Sequence, residues 1–197
     1  MTEQFTFGGE IVWRPSPEQI GNANLTAFMR AYGIRDFDEL MQRSTRDVEW
    51  FTDAVLKTLG IQFYTPYLKV VDLSEGIQFP KWCVEAKMNI VHNCVGKWAM
   101  AYGQRTAVIF EGEEGITKTL TYEELNQEVN KAANALRSLG LGKGDAIGLF
   151  MPMTPEIVVA LLAIAKIGGI ILPLFSGYGA GAIVSRMVDA DAKALFA

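Results

Sequence analysis

Apolar residues in the second half of the chain form two alternating kinds of pattern. Short apolar runs, typical of strands, occur at residues 106–110, 116–120, 146–151, 170–174 and from residue 193 onward. Segments with apolar residues every three or four positions, which predict helices, lie at residues 121–139, 154–167 and 179–190. The order strand–helix–strand–helix–strand, with strands apolar on both faces, predicts an α/β fold built from parallel βαβ units.

Local signals predict where several of these elements begin and end. The polar turn EGEEG between the first two runs predicts a hairpin. Thr121 and Glu124 predict a capping box at the start of a helix, and Gly140 predicts its left-handed end. Thr154 and Pro155 predict the start of the next helix. In the helix predicted at residues 121–139, the buried apolar stripe should comprise Leu125, Val129, Ala132, Leu136 and Leu139.

The first half of the chain follows a different pattern. Helical spacing occurs at residues 24–32, 37–44, 45–59 and 89–102, whereas residues 63–73 read as extended chain. No two-residue alternation predicts a sheet there. We therefore expect residues 1–102 to form a helical, loop-rich extension and residues 103–197 to form the beginning of the α/β core.

Composition is that of a globular protein, with 197 residues of which 50% are hydrophobic and 20% charged. The formal net charge of −4 argues against a nucleic-acid-binding surface. Residues 1–10 lack the apolar segment of a secretory signal, and a chain of this size needs no disulfide between Cys83 and Cys94. We therefore expect a cytoplasmic protein.

Residues 157–174 are apolar and long enough to suggest a membrane span. Lys166 lies near the middle, however, and Gly168, Gly169 and Pro173 interrupt the segment. A charge at the centre of a bilayer is costly. The pattern favours a buried helix that leads into a buried strand, and we expect no membrane span.

Few residues suggest catalytic or metal chemistry. His92, Cys94 and Cys83 are too few for a structural zinc site, so we expect Cys94 to pack inside a helix and His92 to lie at the surface. No Walker-type phosphate loop is present. The neighbouring carboxylates are interpreted as solvated acids, namely Glu113, Glu114, Glu123, Glu124, Asp189 and Asp191.

The stretch LFSGYGAGAI at residues 174–183 places three glycines between a predicted strand and a predicted helix. Its G-x-G-x-G spacing matches neither the Walker loop nor the dinucleotide fingerprint. One interpretation is a tight turn whose glycines adopt positive φ. The other is a ligand contact, because open α/β sheets bind ligands at the carboxyl ends of their parallel strands. Spacing alone leaves both open.

The second half resembles the N-terminal part of the AMP-forming acyl-CoA synthetases of the adenylate-forming superfamily. The resemblance lies in LTYEELNQEVNKAANALRSLGLGKGDAIGLFMPMTPEIVVALLAIAKIGGIILPLF, which combines T-Y-x-E-L, G-x-x-x-G-D-x-[VI], P-x-x-P-E and A-x-x-K-x-G-x-[IV]. Earlier, WFTDAVLKTLGIQFYTPYLKVVDLSEG and KMNIVHNCVGKWA resemble the extension of acetyl-CoA synthetase and its close relatives. One departure stands at residues 82–89, where WCVEAKMN replaces the usual W-F-x-G-G-x-L-N. Losing both glycines indicates a divergent branch.

The resemblance implies a ligase that activates a short-chain carboxylic acid with Mg·ATP and transfers the acyl group to CoA. The family's phosphate loop and catalytic lysine are not found in residues 1–197, so the resemblance assigns no catalytic or metal-binding residue here. It implies the N-terminal segment of a longer polypeptide, inactive by itself and completed by the remainder of that polypeptide. Phe175, Ser176 and Gly177 match a turn that, in acetyl-CoA synthetase, lines the pocket for the adenine nucleotide of CoA. The alternative is a non-catalytic module that binds CoA, a nucleotide or another protein.

Overall fold

The computed structural model describes residues 11–197, which divide into two compact units. The helical unit runs from residue 11 to Ile61 and includes Val70–Trp82, and the α/β unit comprises Gln62–Lys69 and Cys83–Ala197. The prediction that residues 1–10 carry no secretory signal lies outside the described residues. The expected division into a helical extension at residues 1–102 and an α/β core at residues 103–197 stays a prediction.

The helical unit consists of short helices with polar N-terminal caps. They are α1 (Pro17–Asn22), α2 (Asn24–Ala31), α3 (Phe37–Arg46) and α4 (Val48–Thr58). Asp36 and Asp47 cap α3 and α4 by accepting the backbone N–H groups of Glu39 at 2.8 Å and Trp50 at 2.9 Å. The core of the unit is formed by Phe28, Ile34, Leu40 and Ala54. The sequence pattern finds the last three helices and misses α1, which has no buried residue to produce a stripe.

A two-stranded sheet joins β1 (Lys69–Asp72) and β2 (Lys81–Val84), although no sheet is expected in this half of the sequence. Strands of four residues are too short to show a clear alternation. At the end of β2, Cys83 has φ 49° and Glu85 has φ 67°. Glu85 therefore occupies the left-handed region, at a position where the W-F-x-G-G-x-L-N pattern has glycine.

The α/β unit contains the hairpin and the βαβ units predicted from the sequence. In chain order its elements are a π-helix (His92–Gly96), α5 (Lys97–Tyr102), β3 (Thr106–Glu111), β4 (Thr117–Thr121), α6 (Tyr122–Ser138), β5 (Ala146–Leu149), α7 (Pro155–Ile167), β6 (Ile170–Pro173), α8 (Ala180–Asp189) and β7 (Ala194–Phe196). β3 and β4 pair antiparallel, whereas β5 pairs parallel with β6 on one side and with β7 on the other. The sheet order is β6-β5-β7.

Helices α6 and α7 supply most of the core around β5. One cluster joins Ile147 of β5 to Leu136 of α6 and to Ile164 of α7. The capping box at Thr121 and Glu124 and the left-handed φ of 81° at Gly140 are confirmed. Leu139 is wrongly assigned to the buried stripe, because α6 ends at Ser138 and leaves this side chain 74% exposed.

Within the α/β unit, hydrogen bonds of the Asn93 and Asn89 side chains hold residues 62 and 89–93 in place. The buried side chain of Asn93 accepts the backbone N–H of Gln62 at 2.8 Å and donates to its carbonyl at 2.9 Å. Asn89 donates to the carbonyls of Ala165 and Lys166 at 3.3 and 3.0 Å, at the C-terminal end of α7. These bonds satisfy backbone groups that would otherwise lack partners.

The apolar segment at residues 157–174 forms most of α7, the turn at Gly168 and β6, so the predicted helix and strand are confirmed. The expected burial of the strand is wrong, because β6 lies at the edge of the described sheet and Ile170 is 57% exposed. Over the described part of the chain, every helix is too short or too polar to traverse a bilayer. Lys166 is half-buried near the end of α7. Burial lowers its pKa, and the positive charge of Arg137 lowers it further.

Replacing Glu85 by glycine should stabilise the protein. Glycine adopts φ 67° without the steric cost that glutamate incurs, and the gain exceeds the added entropy of the unfolded chain. We expect the free energy of unfolding to rise by about 0.5–1 kcal/mol in urea titrations. Lys87→Gly, at an exposed position outside the left-handed region, should lower it. Equal destabilisation by both variants would contradict the strain at Glu85.

Lys166→Met should stabilise the protein most strongly at neutral pH. The folded chain binds the proton of Lys166 less tightly than the unfolded chain does, because the folded pKa is lowered. Stability of the parent protein therefore rises with pH between the lowered pKa and the ordinary lysine pKa, so the advantage of the variant should shrink over that window. Urea midpoints measured from neutral to alkaline pH test this, with exposed Lys131→Met as the control. A difference that does not change with pH would contradict it.

Candidate functional site

The glycine-rich stretch lies at the carboxyl end of β6, between that strand and α8. Leu174 is buried, and its N–H donates to the carbonyl of Leu149 at 3.0 Å, which extends the pairing of β6 with β5. The next residue, Phe175, turns outward and is 67% exposed. The predicted site residues Phe175, Ser176 and Gly177 are thus brought together at the edge of the sheet where ligands bind in open α/β folds.

The turn carries a small aromatic cluster. The N–H of Tyr178 donates to the carbonyl of Phe175 at 2.9 Å, which closes the turn. The two rings meet edge to face, with centroids 5.6 Å apart and planes at 81°. The guanidinium carbon of Arg186 lies 4.3 Å from the centroid of Tyr178, and the same side chain donates to the carbonyl of Ala182. Sequence reasoning missed Tyr178, whose signal is an aromatic residue three positions after Phe175.

The glycines of this turn do not have the expected conformation. Among the described residues with positive φ, Gly177, Gly179 and Gly181 are absent, so the positive φ expected for them is wrong. The tight turn itself is present, closed by the hydrogen bond from Tyr178 to Phe175. Gly177 instead permits a close approach, because a Cβ atom built there would lie 2.6 Å from Cε1 of Phe175. The missing side chain lets the Phe175 ring fold back over the turn. Contact with a ligand stays a prediction.

An apolar groove of about 620 Å³ lies elsewhere in the α/β unit, between β4, α6 and α7. Leu120, Val159 and Phe196 contribute apolar side chains, and Lys118 and Glu156 stand at its rim with 3.9 Å between Nζ and Oε1. Hydrogen bonds from the Thr154 hydroxyl and the Glu156 backbone lower the pKa of Glu156, and Lys118 lowers it further. The groove contains none of the predicted site residues.

The residues considered for metal or nucleophilic chemistry do not form a site. Cys94 lies in the π-helix but is exposed, so the expectation that it packs there is wrong. The buried residues of this helix are its two neighbours, Asn93 and Val95. The Nε2 atom of His92 lies 2.7 Å from the side-chain oxygen of Gln62. Within residues 11–197, no three His, Cys, Asp or Glu side chains come together as metal ligands. The six carboxylates interpreted as solvated are all exposed.

Two family profiles match successive parts of the chain. The profile described as acetyl-coenzyme A synthetase N-terminus matches residues 37–94. The profile described as AMP-binding enzyme matches residues 95–197, which is more than half of the chain. The chain belongs to the AMP-binding enzyme family. The AMP-binding match includes the parallel sheet and the turn at Phe175.

Similar proteins include several acyl-CoA synthetases. The chain is 40% identical over 182 residues to acetyl-coenzyme A synthetase of Streptomyces avermitilis, covering 91% of this chain and 26% of the relative. It is 38% identical over 177 residues to 3-hydroxypropionyl-coenzyme A synthetase of Sulfurisphaera tokodaii, covering 89% and 26%. The structure of acetoacetyl-CoA synthetase from Streptomyces lividans aligns with TM-score 0.88 at 26% identity, over 95% of this chain and 30% of that one.

These comparisons confirm the resemblance to acyl-CoA synthetases and the α/β fold, including its match to the N-terminal region of such an enzyme. The chain spans 26% of the length of the curated relatives described above. The assignment of Phe175, Ser176 and Gly177 to a CoA pocket is not tested by them and stays a prediction.

Gly177→Ala and Gly181→Ala should affect the protein in different ways. The first places a methyl group against the Phe175 ring, so the ring must move away from Tyr178. The second adds a methyl group within α8, where nothing lies within 4 Å of it, and should stabilise the helix by about 0.5–1 kcal/mol. Ring-current shifts of Tyr178 in NMR spectra and urea titrations measure the two effects. An unchanged Tyr178 spectrum in Gly177→Ala would contradict the close approach.

Proposed function

We propose that this chain forms the N-terminal segment of an AMP-forming acyl-CoA synthetase. The carboxylate of a small acid attacks the α-phosphorus of ATP, which forms an acyl-adenylate and releases pyrophosphate. The thiol of CoA then attacks the acyl carbon, and AMP leaves. The observation that carries the proposal is an exposed aromatic turn at the carboxyl end of a parallel strand, in a chain that belongs to the AMP-binding enzyme family.

Residues 1–197 provide scaffold and one wall of the CoA site in this proposal. Phe175 offers an exposed ring for apolar contact, Gly177 lets that ring approach the backbone, and Ser176 contributes a hydroxyl between them. The Phe175 ring is held by its edge-to-face contact with Tyr178, so the wall is ordered before a ligand arrives. The adenine nucleotide of CoA would bind against this wall.

The reacting groups of the proposed enzyme lie outside this chain. The described residues contain no cluster of acidic side chains for Mg²⁺, which would enter with ATP. Lys166 is half-buried near the end of α7, and its pKa is lowered by that burial. We therefore propose that residues 1–197 alone catalyse neither half-reaction.

A short acyl chain is the substrate class that the relatives favour. Their printed names refer to acetyl, 3-hydroxypropionyl and acetoacetyl groups, all of which are short. The departure from W-F-x-G-G-x-L-N at Glu85 and Ala86 separates this chain from that pattern. We propose a short-chain acid, without preference for acetate.

A chimera should separate the two half-reactions. Residues 1–197 would replace the aligned segment of acetoacetyl-CoA synthetase from Streptomyces lividans, which has the same fold. We expect acid-dependent ATP–pyrophosphate exchange and CoA thioester formation. Phe175→Ala should raise the KM for CoA about tenfold, because it removes one apolar aromatic contact with CoA. It should leave ATP–pyrophosphate exchange unchanged. Phe79→Ala removes a side chain of nearly equal exposure, 65%, from the helical unit and should change neither.

Four outcomes would contradict parts of the proposal. A folded chimera without exchange for any short acid would reject the synthetase assignment. If CoA bound to the 197-residue chain in calorimetry while that chimera stayed inactive, the non-catalytic module would be supported instead. An unchanged KM for CoA in Phe175→Ala would remove this turn from the CoA site, and exchange by residues 1–197 alone would show that they hold reacting groups.

A further inference from the structure

The apolar groove between β4, α6 and α7 has walls that belong to the hydrophobic core. Leu120 and Val159 pack against the core cluster that contains Val129, and Phe196 packs against the cluster that contains Ile147. All three side chains are half-buried, and they line an open space of about 620 Å³. Two core clusters of the α/β unit thus extend to one apolar surface that is open to solvent.

The groove also borders a strand edge that has no partner in the described part of the chain. Lys118, Thr119 and Leu120 of β4 line it in succession. Because successive side chains point to opposite faces of a strand, a surface formed by three in a row includes the edge of that strand. β3 pairs with one edge of β4, and none of the described strands pairs with the other. Such an edge leaves backbone N–H and C=O groups available to another strand.

The polar residues at the groove do not favour a small ionic ligand. They are Lys118, Thr119, Glu128 and Glu156, and the other lining residues are apolar. Each carboxylate already has a lysine nearby, at 2.6 Å between Glu128 and Lys131 and at 3.9 Å between Glu156 and Lys118. The apolar lining is therefore the main feature of the groove, and it fits apolar side chains of a polypeptide.

The comparisons indicate which polypeptide would supply those side chains. The structure of acetoacetyl-CoA synthetase from Streptomyces lividans aligns over 95% of this chain, but this chain covers only 30% of that one. The curated relatives described above are covered to only 26% of their length. Most of each relative therefore lies outside the aligned region, and a chain of that length has further apolar segments to bury.

We propose that this groove docks a segment of the remainder of the synthetase polypeptide, an inference that rests on the proposed function. The segment inserts apolar side chains between Leu120, Val159 and Phe196, which removes their exposed surface from water. Its backbone runs along the free edge of β4 and pairs with the N–H and C=O groups there. The docking surface shares no residue with the turn at Phe175.

Cysteine labelling of the 197-residue chain and of the chimera described above tests this docking. Thr119→Cys places a thiol at the groove, whereas Ser138→Cys places one at the exposed end of α6, outside the groove. We expect Thr119→Cys to react with a maleimide at least about tenfold more slowly in the chimera than in the 197-residue chain, because docking covers the thiol. Ser138→Cys should react at similar rates in both proteins. Mass spectrometry of the labelled peptides separates these thiols from the native cysteines.

A bulky side chain at the groove provides a second measurement. Glu128 lines the groove, whereas Lys131, on the next turn of α6, does not. Glu128→Trp should leave the thermal midpoint of the 197-residue chain close to its parent value, because the groove is open there. The same change should lower the midpoint of the chimera by several degrees, because the indole and the docked segment compete for space. Lys131→Trp removes the other member of the same ion pair and should lower neither midpoint.

The outcomes separate this inference from the proposed function. Fast labelling of Thr119→Cys in a folded chimera that catalyses ATP–pyrophosphate exchange would overturn the docking and leave the proposed function standing. Slow labelling in a folded chimera without exchange would support the docking while the synthetase assignment fails. Dimerisation of the 197-residue chain, with Thr119→Cys already slow to label, would assign the groove to a second copy instead. Equal effects of Glu128→Trp on the chain and on the chimera would also contradict the docking.

Discussion

The α/β unit depends on β5. The backbone of this strand needs hydrogen-bond partners along both edges, and its side chains are buried on both faces. All four residues of β5 are buried, so their backbone groups reach no water and need the parallel partners β6 and β7. Its one glycine, Gly148, leaves room for a close approach, because a Cβ atom there would lie 2.6 Å from Sδ of Met187 in α8. The pairing of Leu149 with Pro173 then fixes where β6 ends and where Phe175 turns outward. The candidate site is thus set by the register of the sheet.

Helices α6 and α7 also fix the position of residues 89–95, which belong to the first half of the sequence. Val91 and Val95 pack in one core cluster with Leu125 and Val129 of α6. Asn89 bonds to the last carbonyls of α7, whose end leads through Gly168 to β6. The segment before α5 therefore contributes to the same packed body as the parallel sheet, although its sequence belongs to the other family profile.

The sequence predicted the α/β unit well because its signals are local and strong. The capping box at Thr121, the left-handed glycine at 140 and Pro155 at the start of α7 each act through the backbone of a single turn. The first half was harder because its strands are short and its helices are set by small clusters of aromatic residues. Leu139 and Cys94 were misplaced because burial depends on where a helix ends or widens, which periodicity does not report.

The candidate site was located by sequence, but the reason for its glycines was not. Strand-then-helix order and the family resemblance both point to residues 175–177. In the structure Gly177 leaves room for the ring of Phe175 and does not adopt a left-handed conformation. The partners Tyr178 and Arg186 depend on the path of the turn and of α8, which spacing does not determine.

The shared core around Val91 and Val95 has a consequence for how such a chain could arise by recombination. The two family profiles meet between residues 94 and 95, in the middle of the π-helix, with one of these valines on each side. Recombination at that junction would combine Val91 from one parent protein with Val95 from another. The two parts would then pack well only if their side chains were complementary in shape. The segments that match the two profiles are therefore expected to be inherited together.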